Sequence, residues 1–121
     1  MASNKAFRFG PVAVANSIGN LLNPPGATGG VNGGSSGQYI ILRHLRVVNK
    51  TGGAVNMSAF IGATGGSAAG TEFAWSATPV PANSALDWYG AVRLDVADFL
   101  TGLASAATSL VISGEGEIGV A

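Results

Sequence analysis

The chain has 121 residues and a mass of 12.0 kDa, which favours one domain with a single core. It holds no cysteine and one histidine, His44, which excludes a disulfide scaffold, a thiolate metal site, a thiol nucleophile and a His-rich metal site. With 10% charged residues and zero formal net charge, neither nucleic acid nor an anionic membrane is favoured as a partner, and 47% hydrophobic content argues against charge-driven disorder.

Nineteen glycines and twenty alanines are mixed with Ser, Thr, Asn and Val in no collagen-like period. That mixture weakens helices, and no long stretch carries apolar residues at 3.6-residue spacing. The expected class is all-β: an antiparallel β-sandwich or barrel-like jelly roll with an extended N-terminal arm.

Residues 1–22 carry Phe7, Phe9, Val12, Val14, Ile18, Leu21 and Leu22. Pro11 cannot donate to a ladder, so this stretch reads as an arm or an edge strand. Its apolar patch, Val12–Ala15, stops at Asn16, short of the ~7–15 residues of a secretory h-region. No segment supplies the ~20 apolar residues of a membrane helix. Synthesis in a cytoplasm is the expectation. Residues 23–37, dominated by Gly, Pro and Ser, read as a flexible linker or surface loop. They separate the arm from a body over residues 38–121.

In the body, the first strand spans Gln38 to Asn49. Its apolar residues sit at even positions early (Ile40, Leu42) and at odd positions later (Leu45, Val47). Side chains alternate faces along a strand, so the switch at Arg43-His44 points to a β-bulge or to burial on both faces. After a turn at Lys50–Gly53, a second strand places Val55, Met57, Ala59 and Ile61 on one face. A small-residue loop from Gly62 to Gly70 leads to a short strand around Thr71–Ala77. Pro79 and Pro81 make Thr78–Ser84 a connection or an edge. The next strand turns Leu86, Trp88, Gly90, Val92 and Leu94 inward, and Asp87, Tyr89, Ala91, Arg93 and Asp95 outward. Asp95–Gly102 fits one helical turn or a tight β corner. A final run puts Leu110, Ile112, Gly114, Gly116, Ile118 and Val120 on one face.

Several strings imitate reactive motifs. Gly33-Gly34-Ser35-Ser36-Gly37 matches G-x-S-x-G, but that elbow needs a strand-to-helix turn over an α/β sheet. Gly114–Gly119 matches G-x-G-x-x-G, yet only two residues follow, so no phosphate-binding helix can open there. Its glycines read instead as places where another backbone passes closely. His44 could pair with a serine and one of Asp87, Asp95 or Asp98 as a triad, although a satisfied or solvent-facing strand histidine is the commoner case. Asp95, Asp98, Glu115 and Glu117 could bind a hard cation, but no EF-hand spacing occurs. Asn49-Lys50-Thr51 and Asn56-Met57-Ser58 match the glycosylation triplet. The expectation is a non-enzyme with no metal and no cofactor.

Charge is segregated along the chain. Lys5, Arg8, Arg43, Arg46 and Lys50 give the first fifty residues +5, while the remainder, with Arg93 its one base, carries −5. Either strands from the two halves pair inside one monomer, or basic and acidic surfaces meet across subunits or against a partner.

The body resembles small β-sandwich virion proteins of tailed bacteriophages, above all capsid decoration (cement) proteins. The resemblance covers residues 38–121. It rests on Tyr39-Ile-Ile-Leu-Arg-His-Leu-Arg-Val-Val-Asn-Lys-Thr51, Phe60-Ile-Gly-Ala63, Pro79-Val-Pro-Ala-Asn83, Asp87-Trp-Tyr-Gly90 and Gly114-Glu-Gly-Glu117. It implies a non-enzymatic virion protein on the outer surface of the capsid, made in a bacterial host cytoplasm, bound to the major capsid protein and often trimeric. The residues expected at such contacts are Phe7, Arg8, Phe9 and Val12 of the arm, with Arg43 and Arg46 of the first body strand. Competing readings are a tail, neck or fibre component, and a carbohydrate-binding module with Trp75, Trp88 and Tyr89 as a stacking platform.

Overall fold

The computed structural model describes residues 5–22, 37–63, 65–67, 70–95 and 98–120. Strands β1 (Lys5–Val14), β2 (Gly19–Leu22), β3 (Gly37–Asn49), β4 (Val55–Gly62), β5 (Thr78–Val80), β6 (Ala85–Leu94), β7 (Phe99–Ala104) and β8 (Leu110–Val120) form two antiparallel sheets. Their orders are β1-β8-β3-β6 and β2-β7-β4-β5. One rule generates both. β1 pairs with β8, β2 with β7, β3 with β6 and β4 with β5, so the first half of the chain folds back on the second as one long hairpin. Pairing of β3 with β8 and of β4 with β7 then rolls the hairpin up. This is the double-sheet jelly roll, within the all-β class expected.

The inner faces of the sheets meet in one apolar core. The first sheet contributes Phe9, Ile40, Leu42, Leu45, Val47, Leu94, Leu110 and Ile112, and the second Leu22, Met57, Val80 and Leu100, among others. Burying each of the larger side chains stabilises the fold by about 1.5–3 kcal/mol. The alternation read for the strands that became β4, β6 and β8 matches the burial of their residues, although on β6 Leu86, Trp88 and Val92 are only half-buried because the strand lies at an edge. The parity switch in β3 is a bulge: Leu42 and His44 oppose the adjacent residues Gly116 and Glu115 of β8, leaving Arg43 as the extra residue.

Residues 5–22 differ from the separate arm expected of them. β1 is the edge strand of the first sheet and β2 that of the second, and Phe9, Val14, Leu21 and Leu22 are buried in the common core. The apolar residues that suggested an adhesive arm are turned inward because β1 also changes parity, from Phe9 to Val12 and Val14, across a register shift at Gly10-Pro11. Gly10 has φ +85°, and a Cβ there would lie 2.6 Å from the Ile112 carbonyl oxygen, so glycine is required at this irregularity. The linker assigned to 23–37 falls outside the described residues except for Gly37, which opens β3. Thr71–Ala77 is a loop held by isolated bridges, Phe60 to Glu72 and Phe73 to Trp75, rather than a strand. The Asp98 N–H donates to the Asp95 carbonyl at 3.0 Å, and residues 99–104 form β7.

Candidate functional site

The chemistry-bearing side chains gather on the outer face of the first sheet. Arg8 of β1, Glu115 of β8, His44 of β3 and Tyr89 of β6 are register partners and form one row across all four strands. Beside it runs the row Ser113, Arg46, Asp87. At one end of the face lie Ala13, Val111, Val48 and Ala85, a row of small and β-branched side chains.

Asp87 is the hub. Arg46 Nε donates to its Oδ1 at 2.7 Å and Nη2 approaches Oδ2 at 3.4 Å, while His44 Nε2 lies 2.7 Å from the same Oδ1. His44 Nδ1 faces Glu115 at 3.8 Å, and the imidazole stacks on the exposed Tyr89 ring at 4.6 Å between centroids. Both ring nitrogens therefore face carboxylates, the arrangement of a bridging imidazole rather than of a base held against a hydroxyl. Arg43, projecting from the bulge, donates to Glu117 at 2.6 Å, and Arg93 donates to Asp95 while its guanidinium lies over the Tyr39 ring at 4.3 Å.

These pairs answer the charge segregation. Rolling the hairpin sets basic β3 between β6 and β8, and the opposite charges meet inside one chain. Exposed pairs of this kind each add about 0–1 kcal/mol, so their main effect is to fix orientation and register. Arg43 and Arg46 do point outward as expected, but both are already paired within the monomer.

Arg8 is exposed and makes no ion pair among the described residues. It borders an open depression of about 230 Å³ with His44, Arg46, Ser113, Gly114 and Glu115. Gly10, at the β1 irregularity, lies against Ser113. Of the other expected contact residues, Phe9 is turned into the core and Val12 is half-buried against it. Phe7 lies in β1, and its side chain is outside the described residues.

Trp75 is 6% exposed, Trp88 is half-buried on the inner side of β6 with its ring edge-on to Phe73, and Tyr89 points the other way, so the three aromatics form no platform. Among the described residues no group of three or more Asp, Glu or His converges as metal ligands would: the Asp98 carboxylate accepts from the Asp95 backbone N–H, and the Asp95 carboxylate accepts from Arg93. Comparison with known proteins gave no match to any family model, curated protein or solved structure.

The Asp87 carboxyl is held below its ordinary value of 3.8, first by the hydrogen bond from Arg46 and next by His44. The unfolded chain then takes up a proton at Asp87 before the folded one does. The stabilisation is fully present above the ordinary carboxylate range and is lost as pH falls through the lowered folded value. Asp87→Asn should therefore lie below wild type in stability at neutral pH and converge on it in strong acid, as urea unfolding across that range would read. Parallel pH profiles would show that Asp87 carries no such linkage.

Proposed function

We propose that this protein is a non-enzymatic virion structural protein that binds and stabilises an assembled phage capsid as a decoration protein, docking through the outer face of its first sheet. One observation carries the reading. Arg43, His44, Arg46, Asp87, Glu115 and Glu117 pair with one another across an open four-stranded face, which supports reading it as an ordered charged docking surface. Charges fixed in place before encounter favour orientation and specificity over raw affinity. The jelly roll adds support by fold-level analogy, since viral capsid domains and lectin domains both use it. The same interface repeated over a shell would multiply a modest contact into firm attachment.

The test uses purified protein and capsids stripped of it. Co-sedimentation should be saturable and weaken with salt, and Arg8→Glu should reduce occupancy about ten-fold while leaving the melting temperature unchanged. Labelling intact particles distinguishes the tail, neck or fibre alternative: signal over the head supports decoration, and signal confined to the tail refutes it.

A further inference from the structure

A jelly roll has four sheet edges, and here they are treated unequally. β1 is interrupted by Pro11 and a register shift, β2 has four residues, and β5 has three including Pro79. Brevity, proline and irregularity are the devices that keep edges from pairing with other chains. β6 has ten residues, no proline, and backbone pairing to β3 alone among the described residues; its one irregularity is a register shift against β3, where Gly90 and Ala91 oppose Arg43. Its inner side is incompletely covered, with Leu86, Trp88 and Val92 only half-buried, and its outer side carries Tyr89, 71% exposed.

We infer that the free edge of β6 is a homodimer interface, pairing antiparallel with β6 of a second copy about a two-fold axis through Gly90. The sequence of the strand, Ala-Leu-Asp-Trp-Tyr-Gly-Ala-Val-Arg-Leu, is self-complementary in that register. Asp87 of one copy stands opposite Arg93 of the other, and Tyr89 opposite Ala91. On the inner side, Leu86 falls opposite the buried Leu94 and Trp88 meets Val92, so the apolar surface of Trp88 and Val92 that one chain leaves half-covered is closed by the other. The pair on the axis is Gly90 with itself. Trp88 already lies across its own Gly90, where a Cβ would be 3.0 Å from the indole, and a side chain at that position would crowd both rings. Asp87 can accept the incoming guanidinium because its Oδ2 is the loosely held oxygen, 3.4 Å from Arg46, while Oδ1 takes the two short contacts. Shifting the register by two residues in one direction opposes Asp87 to Asp95, and in the other it leaves Asp87 opposite Ala91. The product is a continuous eight-stranded sheet and an assembly built from pairs, in contrast to the trimer that the sequence resemblance implies. The inference rests on the strand itself and stands whether or not the partner lattice is a capsid.

Sedimentation of the intact protein over a wide concentration range should show a monomer–dimer equilibrium, weakened about ten-fold or more by Arg93→Asp, which sets like charges opposite each other twice per dimer. The chain has no cysteine of its own, so cross-linking is clean. Tyr89→Cys and Ala91→Cys, both at exposed positions, should be joined by a short thiol cross-linker when the two variants are mixed, since opposed Cβ atoms lie about 5 Å apart. Neither should cross-link efficiently alone. A monomer at every concentration, a trimer, or efficient cross-linking of either variant by itself would overturn the proposal.

Discussion

Gly116→Ala is expected to be the most damaging single-methyl change in the protein, costing about 4 kcal/mol or more and leaving little folded material. Gly116 lies in β8, between Phe7 of β1 and Leu42 of β3. A Cβ built on it collides with the carbonyl oxygen of Ile41 and sits 3.0 Å from the Ile41 carbonyl carbon. These are backbone atoms of a strand pinned on both sides, by β8 and β6, so no rotamer change can relieve the clash. Gly114→Ala should cost less, about 2–3 kcal/mol, because its two nearest atoms, Phe9 Cε1 at 2.5 Å and Leu45 Cδ2 at 2.7 Å, belong to side chains, and its backbone contact, the His44 carbonyl oxygen at 2.9 Å, is far looser than that of Gly116 with Ile41. Gly52→Ala has open space around it and should be within about 0.5 kcal/mol of wild type. Urea unfolding of the three variants reads this ranking, and a Gly116→Ala protein as stable as Gly52→Ala would contradict the packing described for β8.

That glycine pair shows what a sequence can disclose. Its spacing imitates a nucleotide fingerprint, but its position at the end of a period-two run leaves close backbone approach as the physical reason for it. Long alternating strands were legible in the same way, because one buried face imposes a period of two. The bulge in β3 was legible because Ile40 and Leu42 share a parity that Leu45 and Val47 do not. β1 carries the same device, yet there the switch falls at Gly10-Pro11, and the proline left an arm and an edge strand both open, of which the structure has the edge strand. β2 is too short to show any period. β7 was hidden by its composition: Thr101 and Gly102 are buried between β2 and β4, with the threonine hydroxyl donating to the Gly66 carbonyl and the glycine admitting Leu21. Polar and missing side chains in a central strand erase the signal that burial normally writes.

The face of the first sheet divides along the same line. Opposite charge in the two halves of the chain was visible, and a hairpin folded between β4 and β5 converts it into neighbouring strands of opposite charge. Which partners meet depends on register. A slip of two residues between β3 and β6 would move Arg46 from Asp87 and strand both charges, so the charge ladder helps to select one roll of the hairpin over its neighbours. The stacking of His44 on Tyr89 and the depression beside Arg8 arise only from that final alignment, with no short-range spacing to announce them.

Asn49→Ala should be the next most costly change, removing about 3 kcal/mol and lowering the melting temperature by roughly 10–15 °C. Asn49 is 1% exposed at the end of β3, and every hydrogen-bonding capacity of its side chain is used. Nδ2 donates to the Gly53 carbonyl at 2.8 Å and to the Val80 carbonyl at 3.0 Å, and Oδ1 accepts from the Thr51 amide at 2.9 Å and the Thr51 hydroxyl at 2.7 Å. Its backbone N–H donates to Ser84, so one residue ties the β3–β4 turn to both ends of the β5–β6 connection. Alanine would leave the buried Val80 carbonyl without this donor and release the turn. Asn49→Asp keeps the acceptor for Thr51 but loses both donors and buries a charge, so it should be at least as unstable near neutral pH and recover partly in acid, when the carboxyl is neutral. Thr51→Ala, at a half-buried position, should cost only about 1 kcal/mol. The Asn-Lys-Thr triplet is thus accounted for as an internal clasp with no amide hydrogen left for a glycan, and thermal melts in which Asn49→Ala and Thr51→Ala fell together would show that the buried amide is not the centre of it.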